Sequence, residues 1–147
     1  MNRIVVNCEP FDVNELYQWL SSCPQDGAIV TFTGKVRKLE SETISLFLEH
    51  YAGMTEAVLE KIIQQARARW SLNRVVVIHR IGEIQANESI VFVGVSSAHR
   101  TDSFAAAEFI MDVLKTEAPF WKREKTPTGE SWVEAKNSDQ ESLKKWQ

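Results

Sequence analysis

The sequence predicts an α+β fold, and three observations carry that reading. Runs rich in β-branched residues, "GAIVTFTGKV", "RVVVIHRIG" and "ESIVFVGVSSA", have the composition of strands. Two long segments read as helices: 54–70, which repeats its apolar residues at helical spacing, and about 101–117. Strands and helices do not alternate as regular βαβ units, which favours α+β over a parallel doubly wound sheet.

Taken in order, "RIVVN" reads as a short strand. "FDVNELYQWLSSC" carries a helix start, with Asp12 as cap, Glu15 three residues on as in a capping box and Phe11 as hydrophobic staple. "GAIVTFTGKV" is a strand followed by the polar loop "RKLESE", and "TISLFLEHY" is a second strand expected to pair with it. The amphipathic helix over 54–70 is expected to be capped by Thr55, with Val58, Ile62 and Ala66 on one face beside Leu59 and Ile63. "RVVVIHRIG" and "ESIVFVGVSSA" form two long strands joined by a turn near Gln85 to Glu88. They are apolar enough on both faces to offer a surface shared by two copies. A third helix opens near Thr101 or Asp102 and runs to about Glu117, where Pro119 stops it, since the residue before a proline leaves the helical region. A strand pair around "FWKREKT" and "SWVEAK" and a polar C-terminal turn complete one domain over 1–147.

Composition bounds the function. The chain is 44% hydrophobic and 25% charged, which suits a folded globular protein. Its formal charge of −3 provides no general attraction to nucleic acid or anionic membrane, so any anion site must be local. No apolar run approaches the roughly 18 residues of a membrane span, and "MNRIVVNCEP" lacks the apolar core of a signal peptide. Cys8 and Cys23 read as reduced residues of a cytoplasmic protein.

Three cationic element ends stand out. In "DVLKTEAPFWKREKTP", Lys115 and Lys122 flank an aromatic turn made by Pro119, Phe120 and Trp121. In "SSAHRTDS" a strand ends at His99 and Arg100 and a helix opens at once, an arrangement whose free N–H groups and forked guanidinium suit an anion. In "TFTGKVRK", Gly34 lets the backbone turn while Lys35, Arg37 and Lys38 cluster at a strand end. Each has a plainer reading: Lys115 complements a helix dipole, Arg100 pairs with a surface acid, and the third group is a solvated loop. Together, in a net acidic chain, they suggest one convergent anionic site. His50, His79 and His99 are isolated, with His79 read as a satisfied core histidine. No zinc spacing, GxGxxG, Walker loop or GxSxG elbow occurs.

"TFTGKVR", "LEHYAGMTE", "VIHRIGEI", "VFVGVSSAHR" and "FIMDVLKTEAPFWKRE", in this order from about Ile4 to Asp139, resemble the catalytic (large) subunit of molybdopterin synthase. The resemblance implies an α/β hammerhead with an additional small antiparallel β subdomain. It implies a cytoplasmic sulfurtransferase of molybdenum cofactor biosynthesis that converts cyclic pyranopterin monophosphate (precursor Z) to molybdopterin. The sulfur comes from the C-terminal Gly-Gly thiocarboxylate of a small ubiquitin-like partner subunit, which removes the need for a catalytic cysteine. It also implies a homodimer at the core of a heterotetramer, with no bound cofactor or metal, no nucleic acid and no membrane. Carried over by motif, Lys115 and Lys122 are the catalytic residues, and Lys35, Val36, Arg37, His99, Arg100, Arg123 and Glu124 contact substrate. Two places depart from the family pattern: the short 38–43 loop lacks an expected glycine, and Lys136 stands where arginine is common. A non-catalytic scaffold that binds the partner and a plain anion-binding module are the competing classes. Retention of both lysines with His99 and Arg100 argues against the scaffold.

Overall fold

Burial on both sides of one sheet organises the chain. A computed structural model describes residues 1–38, 44–118, 120–133 and 137–147. Strands β1 (Asn2–Asn7), β2 (Ala28–Lys35), β4 (Val75–Arg80) and β6 (Ser89–Ser97) form a four-stranded sheet in the order β1-β4-β6-β2. Its β1–β4 pair is parallel and the other two pairs are antiparallel. Helices α2 (Met54–Arg69) and α3 (Arg100–Glu117) cover one face, where Val75, Val77, Val93 and Val95 join Ile62, Ile63 and Ile110. Helix α1 (Val13–Leu20) covers the other, with Leu16 and Leu20 on Val76, Ile78 and Phe92. Alternate residues of β4 and β6 thus go to two different cores, which is why both read as unbroken apolar runs. All six residues of β4 are buried inside the chain, so β4 and β6 are not the shared surface the sequence suggested.

Strands β3 (Ser45–His50), β5 (Gly82–Gln85), β7 (Phe120–Thr126) and β8 (Gly129–Val133) make a second sheet, all antiparallel, in the order β5-β3-β7-β8. The mixed α+β class and the additional antiparallel sheet are both as expected. Strand β3, however, pairs with β5 and β7 and not with β2. Part of the predicted 85–88 turn is β5, and Asn87 takes the left-handed backbone, φ 74°, that the remaining tight turn requires.

Local signals held unevenly. Asp12 Oδ1 accepts from the N–H groups of Asn14 at 2.9 Å and Glu15 at 3.4 Å, as a cap should. The Glu15 carboxylate bonds Arg3 at 3.1 Å rather than closing a capping box. Phe11 packs edge-tilted on Phe92. Thr55 does not cap α2: Gly53 does, at φ 81°, while the Thr55 hydroxyl is buried without a hydrogen-bond partner among the described residues. The C-terminal turn is a helix, α4 (Asn137–Lys144), tied to α3 where Lys145 donates to Glu108 and Trp146 Nε1 donates to Asp112 at 2.7 Å. Trp146 also meets Trp70 and Phe109 edge to face, which anchors a segment whose polar sequence gave no helical period. Pro119, the 39–43 loop and Lys136 lie outside the described residues.

Candidate active site

Strand direction decides which cations meet. Helix α3 leaves the end of β6 and packs back across β6 and β2, so its first turn lies over the start of β2, where the Ser103 hydroxyl reaches toward the Ala28 carbonyl. Its last turn lies toward the other end of the sheet. There Lys35 registers with Ser89, His79 with Val91, and Arg80 Nη1 donates to the Ser89 carbonyl at 3.0 Å. The C-terminal ends of β2, β4 and α3 therefore share one end of the molecule with the start of β6.

The corner between α3 and β7 is built at that end. The Ala118 N–H closes the helix on the Leu114 carbonyl at 3.1 Å, and the Phe120 N–H turns back to Ala118 at 2.9 Å. The Phe120 ring then stacks on His79, centroids 3.9 Å apart and planes 22° from parallel. His79 is buried, and its Nδ1 lies 2.8 Å from the Arg80 carbonyl. A carbonyl only accepts, so the neutral ring carries its proton on Nδ1. Burial pushes this imidazole down to about 4; the positive charges of Lys122 and Lys115 push the same way, against the Arg80 carbonyl. One buried ring thus feels both lysines that the sequence singled out.

Lys115 lines a groove of about 460 Å³ between β2 and α3, with apolar walls from Val30, Phe32, Phe104 and Met111. The carboxylates of Glu108 and Asp112 also border it, but they are engaged by Lys145 and Trp146 of the C-terminal segment. Phe32 and Phe104 are exposed large apolar residues on the walls of this groove, an apolar patch of the kind that marks an interaction site. Strand β2 is an edge of its sheet, so this groove runs beside an open strand.

The remaining candidates divide. Lys35 and Arg37 are exposed at the lysine end. Val36 is 1% exposed, and its N–H and carbonyl bond Glu88 at 2.9 Å and Asn87 at 2.7 Å, so it anchors its two cationic neighbours from the core. Gly34 serves close packing, not a turn: a Cβ there would lie 2.6 Å from Val91 Cγ1. The pleat places Lys122 and Glu124 on the face of β7 shared with Phe120 and Leu48. It places Arg123 on the opposite face, over Phe47 at 4.8 Å and Trp132 at 5.7 Å, beside Glu130 at 3.6 Å. His99 and Arg100 sit exposed at the far end of α3, fifteen helical steps or about 22 Å from Lys115. The cations expected from sequence to converge on one site therefore fall into two groups within one chain. His79 is the satisfied core histidine that the sequence suggested; what sequence reasoning missed is its stack on Phe120 and Arg80, a buried guanidinium beside the Lys35 register whose Nε has no partner among the described residues. The one available signal was "VIHRIG", two ionisable groups closing an otherwise apolar strand. Among the described residues no cluster of three or more His, Cys, Asp or Glu side chains could hold a metal.

Comparison with known proteins places this arrangement. The family model described as MoaE protein matches residues 6–117. The Escherichia coli (strain K12) molybdopterin synthase catalytic subunit is 58% identical over 146 residues, covering 98% of this chain and 97% of its own. The MoaE protein from Burkholderia ambifaria MC40-6 superposes with a TM-score of 0.86 at 44% identity, covering 99% and 98% of the two chains. A Helicobacter pylori 26695 structure, a complex of subunits 1 and 2 of molybdopterin-converting factor, shares the fold at a TM-score of 0.74 and 20% identity, covering 90% of each chain. The chain belongs to the MoaE family, the catalytic subunits of molybdopterin synthase.

Proposed function

We propose that the chain inserts sulfur into cyclic pyranopterin monophosphate, taking it from the thiocarboxylate at the Gly-Gly terminus of a small ubiquitin-like partner. The observation that carries this reading is Lys115 lining an apolar groove beside an edge strand, with Lys122 held at the same corner. A glycine tail is narrow enough for such a groove, apolar walls exclude water, and an ammonium group attracts its anionic end. The thiocarboxylate sulfur bonds to a substrate carbon and displaces an oxygen there, whose negative charge Lys115 protonates or holds; water then cleaves the acyl–sulfur bond, leaving the sulfur on the substrate and a carboxylate on the partner's tail. Lys122, Lys35 and Arg37 neutralise substrate phosphate, with Glu124 beside Lys122 and Arg123 behind the strand as further contacts. The two cysteines are free and one is exposed, in keeping with a cytoplasmic setting, and neither lies in the groove. Among the described residues no helix is long and apolar enough to cross a membrane.

A homodimer belongs to the same proposal. One chain holds His99 and Arg100 about 22 Å from Lys115, and a second copy is the simplest way to bring an α3 N-terminus to the lysine end. Mixing Lys115→Ala with Arg100→Ala copies then gives turnover with the wild-type KM, which neither variant shows alone, and a stable monomer in sedimentation at micromolar concentration overturns it.

The test of the reaction is conversion of the precursor to the dithiolene product with thiocarboxylated partner. The chain alone, or supplied with free sulfide, should make none at a comparable rate. Equal product from free sulfide overturns the sulfur-donor reading, and partner binding without product leaves the scaffold in its place.

A further inference from the structure

We infer that His79 is a positioning residue of this site: its ring is the platform on which the α3–β7 corner rests, and through Phe120 it fixes how Lys115 and Lys122 face one another. The inference rests on the assignment of those lysines to the sulfur-transfer site. Only Ala118 and Pro119 separate α3 from β7, so the relative placement of the two lysines depends on that short corner. Phe120 anchors the corner to the first sheet: the stack at 3.9 Å and 22° joins it to a residue of that sheet. His79 cannot tilt freely, because its Nδ1–H is bonded to the Arg80 carbonyl at 2.8 Å and its strand is hydrogen-bonded on both sides.

The choice of imidazole follows from what surrounds it. Lys122 faces it from β7, Lys115 from α3, and Arg80 follows it on β4. A permanently positive group at this place would repel both ammonium groups and carry an unpaired charge into the interior. An aliphatic residue would fill the space without a flat face for Phe120. A neutral imidazole supplies the flat face, and its Nδ1–H sets the ring angle.

Three substitutions separate this role from a merely structural one. His79→Leu keeps apolar volume and loses the flat ring. His79→Phe keeps the ring and loses the Nδ1–H bond. Phe120→Leu removes the other half of the stack. Single-turnover product formation with saturating thiocarboxylated partner, partner affinity and ring-proton shifts of Phe120 are measured on each folded variant. Expected are a loss of about 10- to 100-fold in turnover for His79→Leu and Phe120→Leu, as misplaced catalytic groups cost, with partner affinity unchanged. His79→Phe recovers to within about 5-fold of wild type, with the ring-current shift of Phe120 retained, and keeps the wild-type pH profile across the range where an ordinary histidine titrates. Wild-type turnover in folded His79→Leu overturns the inference, as does a His79→Phe no better than His79→Leu. A changed pH profile in His79→Phe overturns it too, because His79 would then be moving the proton. Absence of product from the wild-type protein with its partner would instead defeat the sulfur-transfer assignment, while the Phe120 shifts still report whether the stack exists. Should His79→Leu fail to fold, Phe120→Leu carries the same test from the half-buried side of the stack.

Discussion

The two ends of α3 both present cations, yet they are built in opposite ways. At the C-terminal end Lys115 complements the helix dipole, borders an apolar groove, and shares a corner with a buried ring stack. At the N-terminal end Arg100 is the first helical residue and His99 the cap position, both exposed, with no side-chain cap hydrogen bond. A cation there opposes the dipole, and Asp102 in the first turn offsets it only in part. One end is supported from below, so its geometry is fixed. The other is an exposed cationic patch, with no ring stack or side-chain cap among the described residues to fix it.

The largest effect that separates them is acid stability. The unfolded chain binds a proton on His79 near the ordinary value of 6.5, and the folded chain refuses it until about 4. Between those values the unfolded state holds more protons, so stability falls as pH drops through the window and is fully present above it. A gap of about 2.5 is worth about 3 kcal/mol, and it should shrink in His79→Phe. Denaturant titrations of both proteins at several pH values check this; parallel curves break the claim that the C-terminal end holds a buried neutral base.

Next comes Lys115. If it contributed only charge at a helix end, Lys115→Arg would keep most activity and Lys115→Ala would cost roughly 0.3–1 kcal/mol of stability. A placed amine predicts otherwise: both variants fold and bind partner, and both lose turnover by about 100-fold or more. Lys122→Arg should retain more activity than Lys115→Arg, since its assigned role is substrate charge. Single-turnover rates beside thermal melts decide between the two readings.

Arg100→Ala tests the other end, with the opposite stability sign. Removing a cation from a helix N-terminus should leave the melting temperature unchanged or raise it, by up to about 1 kcal/mol in stability. The KM for the phosphate-bearing substrate should rise about 10-fold with kcat little altered, the signature of lost uniform binding. A fall in kcat matching that of Lys115→Ala would make the two ends equivalent.

How much of this was legible follows from the range of each cause. Strands β4 and β6 were legible because burial on both faces leaves an unbroken apolar run, and Asp12 because a cap acts over three residues. The partner of β3 was not, since "TISLFLEHY" pairs with residues 82–85 and 120–125, and nothing local chooses them over β2. Helix α4 was missed because its stability comes from Trp146 and Lys145 docking on α3, not from its own period. That Lys115 and Lys122 lie at one corner was legible from the short turn between them. Their separation from Arg100 was not, although the length of α3 alone implies it: a helix eighteen residues long cannot bring its two ends together. His79 was legible as a satisfied core histidine, but its stack on Phe120 was not, because nothing local in the sequence pairs the two rings.

The smallest effect sharpens the contrast most cleanly. At the N-terminal end of α3 the buried Ser97 and Ser103 hydroxyls lie 2.5 Å apart, and Ser97 Oγ also donates to the His99 carbonyl at 2.6 Å. With the Ser97 proton committed to His99, Ser103 is the donor of the pair. Ser103→Ala then removes a donor and leaves no buried N–H or O–H unpaired, because Ser97 keeps its own bond. The cost should be near that of one ordinary hydrogen bond, about 1 kcal/mol, seen as a small fall in melting temperature. Turnover should not change, because His99 and Arg100 act here as charge at an exposed helix start and tolerate small shifts that Lys115 does not. A loss of turnover of 10-fold or more in Ser103→Ala would mean that the N-terminal end is positioned as strictly as the C-terminal one.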